Sequence, residues 1–166
     1  MSGLRAVTLI AATMTTGLVA GVFGLYSHTI MRGLAKTDDR TFIGAFQAID
    51  RAIINPWFMT GFVGALLFTI AAALLHLKSA ARGPLPWIVL ALGLYLVAFV
   101  VTIAINVPLN DALKAAGDPD RITDLAQVRA QFHEVRWAAW NLVRTITTTI
   151  AFGSLCWALV TSGRAG

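Results

Sequence analysis

The sequence has few charged residues and a single cysteine, and each shortage excludes a class of protein. Asp, Glu, Lys and Arg make up 13% of the 166 residues, whereas 57% are apolar and the mean hydropathy is +0.74. Soluble domains carry about 25% charged residues, so this composition indicates an integral membrane protein. The lone Cys156 cannot form a disulfide within the chain, and its place in an apolar run favours a small buried hydrophobe.

The chain also lacks a basic tract. Its net charge of +5 is spread along the sequence and is not joined to a soluble nucleic-acid module. We therefore expect no nucleic-acid partner. Membrane lipid and a hydrophobic or aromatic small molecule are the partners that the composition favours.

Four uncharged runs are present, at residues 6–31, 52–77, 83–110 and 145–163. Each can supply the roughly 20 residues that cross a bilayer. We predict an all-α fold, a four-helix transmembrane bundle forming one membrane domain over residues 1–166, with helices at about 4–31, 56–77, 86–108 and 136–161. The expected location is the cytoplasmic membrane of a bacterium.

The first run could be a signal peptide, because Leu18-Val19-Ala20 loosely resembles a cleavage site. Its apolar stretch continues to Tyr26, so we expect a retained helix. Gly17 and Gly21 are spaced so that another helix can approach closely. Packing within the bundle is the favoured interpretation, and a homo-oligomer stays open.

Two segments between the runs have helical apolar spacing. Phe42, Ala45, Phe46 and Ile49 in the first loop predict a short amphipathic helix at the membrane surface. A second amphipathic segment, expected to run into the fourth helix, is indicated by Leu125, Val128, Phe132 and Val135. Asn55-Pro56-Trp57 has the features of a helix start, with an N-cap, a first-turn proline and an interfacial tryptophan.

Polar residues gather at the end of the third run and the start of the fourth. Pro108 interrupts the backbone ladder between Asn106 and Asn110-Asp111, and freed carbonyls there need partners or water. At the head of the fourth run, Trp137, Trp140, Asn141 and Arg144 fall on one helix face, which we expect to point into the bundle. An ionisable residue inside a membrane is a functional-site hypothesis by default.

Counting crossings places all of these groups at one mouth of the bundle. The residues concerned are His28, Asp50, Arg51, Asn55, Asn106, Asn110, Asp111, His133, Glu134, Asn141 and Arg144. Most Lys and Arg residues lie at this end, against Arg5, Lys78, Arg82 and Arg164 at the other. The positive-inside rule then predicts a mouth that faces the cytoplasm.

With these motifs in hand, the chain resembles the anthrone oxygenase-like family of small integral-membrane proteins. The resemblance rests on Asp50-Arg51 followed by Asn55-Pro56-Trp57-Phe58, on the segment from Asn106 to Asp111, and on Trp137, Trp140-Asn141 and Val143-Arg144-Thr145. Described relatives convert an anthrone to an anthraquinone with dioxygen and are regarded as needing no metal or flavin. The resemblance therefore implies a possible cofactor-independent oxygenase.

The residues present can be assigned roles in that chemistry. Arg144 would stabilise the substrate anion, with Asn141 and Asn110 as hydrogen-bond donors. Trp137 and Trp140 would be flat walls for a flat substrate. The remaining binding candidates are Asn106, Arg51 and Asn55.

The general base is the open assignment. Many relatives have a histidine after the Trp-Asn pair, whereas this sequence has Leu142. The role would then pass to His28, His133 or Asp111.

Three other interpretations compete with an oxygenase. The polar cluster could be structural, with Arg144 paired to Asp111 or Asp50, and with Asn106, Asn110 and Asn141 bonded to the carbonyls around Pro108. A non-catalytic carrier of a hydrophobic small molecule would use the same pocket. A metal site from His28, His133, Glu134 and Asp111 is disfavoured because the spacing puts no two imidazoles on one helix face, and a haem is disfavoured further.

Overall fold

The computed structural model describes residues 3–77 and 82–164, and within them it is helical with no strand. The α-helices are α1 Gly3–Leu25, α2 Met31–Leu34, α3 Asp39–Ile53, α4 Pro56–Leu77, α5 Leu85–Val101, α6 Val107–Ala115, α7 Leu125–Phe132 and α8 Glu134–Arg164. A π-helical turn, Tyr26–Ile30, joins α1 to α2, and a second, Thr102–Asn106, joins α5 to α6. The predicted all-α fold is confirmed.

Four helical stretches in the described residues are long and apolar enough to cross a membrane. They are Gly3–Leu34, Pro56–Leu77, Leu85–Ala115 and Leu125–Arg164. The third is longer than expected, because the chain absorbs Pro108 without ending the helix. Proline sits in the first turn of α6, directly after a π-helical turn, where its missing N–H is tolerated. Lys78, counted above for orientation, lies outside the described residues.

The four crossings form a closed ring. α1 packs between α4 and α8, and α5 completes the ring between α8 and α4. One end of the ring, here named the closed end, is filled by a core of small and branched side chains, namely Leu9, Ala12, Ala72, Ala73, Ile88, Ala91, Ala151, Leu155 and Ala158. Alanines allow helices to approach closely. Close packing stabilises a membrane bundle because the hydrophobic effect does not drive helices together within lipid.

Gly17 serves this close packing within the bundle. A Cβ atom at Gly17 would lie 2.8 Å from Cε2 of Phe152 on α8, whereas one at Gly21 would meet nothing within 4 Å. Of the two glycines, only Gly17 is therefore needed for helix contact inside the chain.

The opposite end of the ring, here named the polar mouth, is covered by α3 and α7. Their apolar faces pack on each other and on α8, with Phe46 in edge contact with Phe132 at 4.7 Å and with Trp137 at 5.6 Å between ring centroids. Each helix starts at an aspartate N-cap, since Asp38 accepts from the Thr41 amide and Asp124 from the Gln127 amide.

Two details of the predicted connections are settled by the backbone. Asn55 does cap α4, because its Oδ1 accepts from the Phe58 amide at 3.0 Å. The second amphipathic segment leads into the fourth helix as expected, within the helical stretch Leu125–Arg164, but with a break at one residue. His133 adopts a left-handed conformation with φ of 53° between α7 and α8, and Val135 is 84% exposed instead of sharing the apolar face.

Candidate functional site

A cavity of about 330 Å³ lies at the polar mouth, between the covering helix α3 and the four crossings. Its size is at the lower end of the range for small-molecule sites. The walls are mostly apolar and include six aromatic residues from the crossings and from α3: Phe23, Tyr26, Phe46, Phe58, Phe62 and Phe99, with Trp137 as a seventh ring from α8. The polar groups in the wall are Asp50, Thr102, Asn110, Asp111, Lys114 and Arg144.

Arg144 is the buried cation of this cavity. Its side chain is 5% exposed, and it donates from Nη2 to Asn141 Oδ1 at 2.7 Å and from Nη1 to Thr102 Oγ1 at 3.3 Å. The guanidinium carbon lies 4.3 Å from the centroid of Phe23 and 5.4 Å from that of Trp137, within the range of cation–π attraction. Its Nε atom is buried with no hydrogen-bond partner among the described residues.

The ion pair of Arg144 with Asp50 or Asp111, on which the structural interpretation depended, is not formed. Both carboxylates lie instead on Lys114, whose Nζ is 2.8 Å from Asp50 Oδ2 and 2.9 Å from Asp111 Oδ1. Lys114 is three residues beyond Asp111 on the same helix, so it reaches that carboxylate locally and the second across the mouth. In the part of the chain that the structure describes, no carboxylate lies within ion-pair distance of Arg144.

A second hydrogen-bond chain fixes the wall of the cavity beside Asp50. Asn110 donates from Nδ2 to Asp50 Oδ1 at 2.6 Å and accepts at Oδ1 from Nε1 of Trp137, also at 2.6 Å. The chain links α3, α6 and α8, and it orients both the carboxylate and the indole. Asp50, whose side chain is 9% exposed, thereby becomes a buried acidic group that faces the aromatic cavity.

The two π-helical turns lie on either side of Arg144. Thr102, the first residue of one turn, accepts from the guanidinium, and Ser27 of the other accepts from Asn141 Nδ2 at 2.7 Å. Asn141 Nδ2 also donates to the Phe23 carbonyl at 3.1 Å. Single π turns inside α-helices occur frequently at functional sites, because the extra residue re-aims nearby side chains.

The structural interpretation required the asparagines to bond to the carbonyls around Pro108, and they do not. Asn106 donates to the Trp137 carbonyl at 3.2 Å, Asn141 to that of Phe23, and Asn110 to Asp50. These bonds do hold crossings together, but through other partners than expected. The backbone around Pro108 is accommodated by the π turn itself.

Three rings in the wall are nearly parallel. Phe58 and Phe62 stack with an interplanar angle of 11°, and Phe62 and Phe99 do the same at a centroid distance of 5.0 Å. A stack of parallel rings presents the flat face of its end ring, and a flat aromatic ligand can extend such a stack in an offset arrangement.

Several predicted site residues lie elsewhere. His28 is exposed, its Nδ1 is 2.6 Å from Thr29 Oγ1, and it lines a separate groove between α1 and α8. Arg51 is exposed and bonds to Gln47, and Asn55 is used as the helix cap. Trp140 is 36% exposed and does not line the cavity.

The location of Leu142 bears on the question of which residue is the general base. Leu142 is 50% exposed and lines the groove that holds His28, not the cavity of Arg144. His133 lies in a third, open groove with Glu134, which accepts from Arg129. The structure thus brings together Arg144, Asn141, Asn110, Asp111, Asn106 and Trp137 and leaves His28, His133, Arg51, Asn55 and Trp140 apart.

No group of three His, Cys, Asp or Glu side chains suited to a metal ion is found among residues 3–77 and 82–164. The four residues considered for such a site are accordingly separated. Asp111 is at the cavity, His28 and His133 are in different grooves, and Glu134 borders both of those grooves.

Sequence reasoning missed most of the cavity wall. Asp50 was placed at the mouth but was not assigned a role in the site, and Lys114, Tyr26 and Thr102 were not singled out at all. A signal was present for Asp50, which falls one helical turn after Phe46 on the buried face of α3. No local pattern could have shown Lys114 or Thr102, because their roles depend on contacts between distant crossings.

A match to a known protein family includes most of the residues of this candidate site. Residues 56–154 match the profile of the anthrone oxygenase family, which is more than half of the chain. This range contains Arg144, Asn141, Asn110 and Lys114, while Asp50 and Phe23 lie before it. Neither curated proteins nor solved structures give a match. From the family profile and the four-crossing fold, the chain belongs to the anthrone oxygenase family.

Proposed function

We propose that this protein is an oxygenase that converts a flat aromatic ketone of the anthrone class to the corresponding quinone with dioxygen. The observation that carries the proposal is Arg144, a buried guanidinium with no carboxylate partner in residues 3–77 and 82–164, which borders an aromatic cavity of about 330 Å³. An isolated buried charge is costly unless something compensates it. An anion that forms in the cavity during a reaction would supply that compensation.

The chemistry follows from the acidity of an anthrone. Its methylene carbon lies between two rings that are conjugated to the carbonyl, so a general base can remove one proton and leave an oxyanion. The anion transfers an electron to dioxygen, and the resulting radicals combine to a carbon-bound peroxide, which takes up a proton. Loss of the second methylene hydrogen as a proton breaks the O–O bond, which gives the quinone carbonyl and water. One dioxygen is consumed, and no metal or flavin is required.

The cavity offers a group for each role. Asp50 is the proposed base, because it is a buried carboxylate held in one orientation by Asn110 and Lys114. Arg144, oriented by Asn141 and Thr102, is the proposed cation for the oxyanion and the peroxide. Asp111, one of the three base candidates from the sequence, is paired with the same lysine, but its side chain is 60% exposed.

The parallel rings of Phe58, Phe62 and Phe99 are proposed to hold the flat substrate against Trp137. This assignment replaces Trp140 as a wall, because Trp140 does not line the cavity. We place the protein in the cytoplasmic membrane of a bacterium, with the polar mouth on the cytoplasmic side.

The test is oxygen uptake by purified, metal-stripped protein with a simple hydroxylated anthrone, after subtraction of spontaneous oxidation. Wild type should consume oxygen above background and form the anthraquinone in equal amount. Arg144→Gln should reduce the rate about 10²- to 10³-fold, as loss of one oxyanion donor does in other enzymes. The matched control is Arg136→Gln, because Arg136 is exposed on the same helix.

Two results would contradict the proposal. One is absence of uptake by folded wild-type protein, and binding of the anthrone without turnover would then identify a carrier. The other is full activity of Arg144→Gln, which would remove the cation from the mechanism.

A further inference from the structure

The cavity at the polar mouth is partly open, and five of the six exposed residues in its lining are apolar. Its inner wall is buried, with Phe23, Phe62, Trp137 and Arg144 each less than a tenth exposed. The exposed members of the lining are Ile54, Met59, Val63, Ile103, Val107 and Asp111, and only the last of these is polar. An aqueous pocket would normally be bordered by polar side chains.

Four of these residues form two ridges that face each other. Met59 and Val63 are one turn apart on α4, at 38% and 37% exposed, where residues four apart lie above one another. Ile103 and Val107 lie in and directly after the π-helical turn of the third crossing, at 55% and 39% exposed, and line the same cavity. The two ridges therefore border a gap between neighbouring crossings, and α4 and α5 are the least closely packed neighbours in the ring.

The depth of the gap can be read from Trp57. This residue is 90% exposed at the start of α4, where tryptophan marks the interface between membrane and water. Val63 comes six residues later, about 9 Å deeper at 1.5 Å per residue. The gap thus opens toward the hydrocarbon, while Ile54 and Asp111 lie at the aqueous end.

We propose that the ligand of this cavity passes sideways from the bilayer through the gap bordered by Met59, Val63, Ile103 and Val107. The ligand class that fits is a membrane-dissolved polycyclic aromatic whose flat apolar body crosses the gap and whose oxygen substituents reach Arg144. This inference rests on the proposed function for the class of ligand. The route itself requires only binding, so it can be tested without turnover.

The experiment follows binding of a hydroxyanthraquinone to the protein in lipid nanodiscs, by the fluorescence of the ligand itself. Val63→Phe and Ile103→Phe narrow the gap, and Leu67→Phe and Val100→Phe are the matched controls. Leu67 and Val100 are each 58% exposed on the same two helices and do not line the cavity.

Narrowing the gap should slow association and dissociation together, by about tenfold or more, within the range over which association rates vary among related complexes. The equilibrium dissociation constant should change much less than either rate, because a barrier acts on both directions. The controls should leave both rates unchanged. If the substitutions damaged the structure, the equilibrium dissociation constant would change instead, and the control variants would be affected as well.

Two results would overturn the lateral route. One is unchanged rates of association and dissociation in both narrowed variants. The other comes from raising the lipid content at constant total ligand: association rates that follow the ligand concentration in the aqueous phase would show that the ligand enters from water. Failure of the oxygenase proposal looks different, because it would abolish oxygen uptake while leaving the binding rates and their dependence on the gap intact.

Discussion

The two ends of the bundle are built by opposite rules, although the same four crossings run through both. At the closed end, alanines and branched aliphatic residues fill the interior, and residues such as Ala12, Ala151 and Leu155 are fully buried. At the polar mouth, rings, amides and charges surround a cavity, and the cation Arg144 lacks a carboxylate partner among the described residues. The comparison indicates that the closed end is packed for stability, whereas the polar mouth departs from good packing in the way that functional sites commonly do.

The largest effect that would sharpen this contrast is expected from Asp50→Asn. The amide keeps an acceptor for Asn110, and Lys114 keeps Asp111, so the protein should fold. Loss of a general base should lower turnover of an anthrone about 10²- to 10⁴-fold. Initial rates of quinone formation, with Asp120→Asn in an exposed turn as control, measure the effect.

The comparison of Asp50→Asn with Asp111→Asn identifies the base. If only Asp111→Asn loses activity, the exposed carboxylate is the base, which is one of the three candidates from the sequence. If neither variant loses activity, proton removal by a carboxylate of the mouth is refuted.

At the closed end, Ala151→Leu should cost stability and leave chemistry alone. Ala151 is fully buried between packed helices, and added methylenes in such a core destabilise by about 1–3 kcal/mol. The measurement is the free energy of unfolding in mixed micelles, paired with turnover per folded molecule. Ala139→Leu, at an exposed position of α8, is the control and should change neither. A fall in turnover per folded molecule for Ala151→Leu would show that the two ends are coupled.

Trp137→Phe should affect both properties moderately, because this residue belongs to the packing and to the cavity wall. The phenyl ring keeps contacts with Phe46 and Phe132 but loses the N–H that donates to Asn110. We expect a loss of about 1 kcal/mol in unfolding free energy, the typical net worth of a hydrogen bond. Trp140→Phe serves as control and should be near wild type in both assays. A loss of turnover in this variant would show that Trp140 contacts the substrate.

The smallest expected effect concerns the covering helix α3. The Thr41 amide donates to Asp38 and holds the pKa of that carboxyl below its usual value. A depressed pKa means that the cap stabilises α3 above the ordinary carboxyl pKa of about 4, and that this contribution is lost as pH falls through the lower folded value. The protection factors of the amides in the first turn of α3, which are corrected for the intrinsic pH dependence of exchange, should therefore fall at acid pH. The variant Asp38→Asn should remove the pH dependence while keeping an acceptor.

The general architecture could be predicted because it depends on local quantities. Run length and hydropathy determine the four crossings, and the spacing of Phe42, Phe46 and Phe132 revealed the two covering helices. The capping role of Asn55 could also be predicted, since the cap residue and Pro56 are adjacent in the sequence. These features require no knowledge of which crossing lies beside which.

The site was predictable only in part, because its partners are distant in sequence. Arg144, Asn141, Asn110 and Trp137 were found from one helix face and one motif. Their connections were not, since Lys114 competes for both carboxylates and leaves Arg144 without either. His28 was expected at the mouth, yet it falls inside a π-helical turn, where the normal relation between spacing and face no longer holds.

The π-helical turns also determine how the sequence of this chain must be read. Each turn carries one residue more than an α-helix would use over the same length, so side chains beyond it are rotated by about 100° relative to an uninterrupted helix. The apolar stripe therefore changes phase at Tyr26 and again at Thr102. Removing a single residue from either turn would restore a regular helix and swing everything beyond it out of register with α8. The length of these two segments is thus as much a part of the site as the identity of any residue in it.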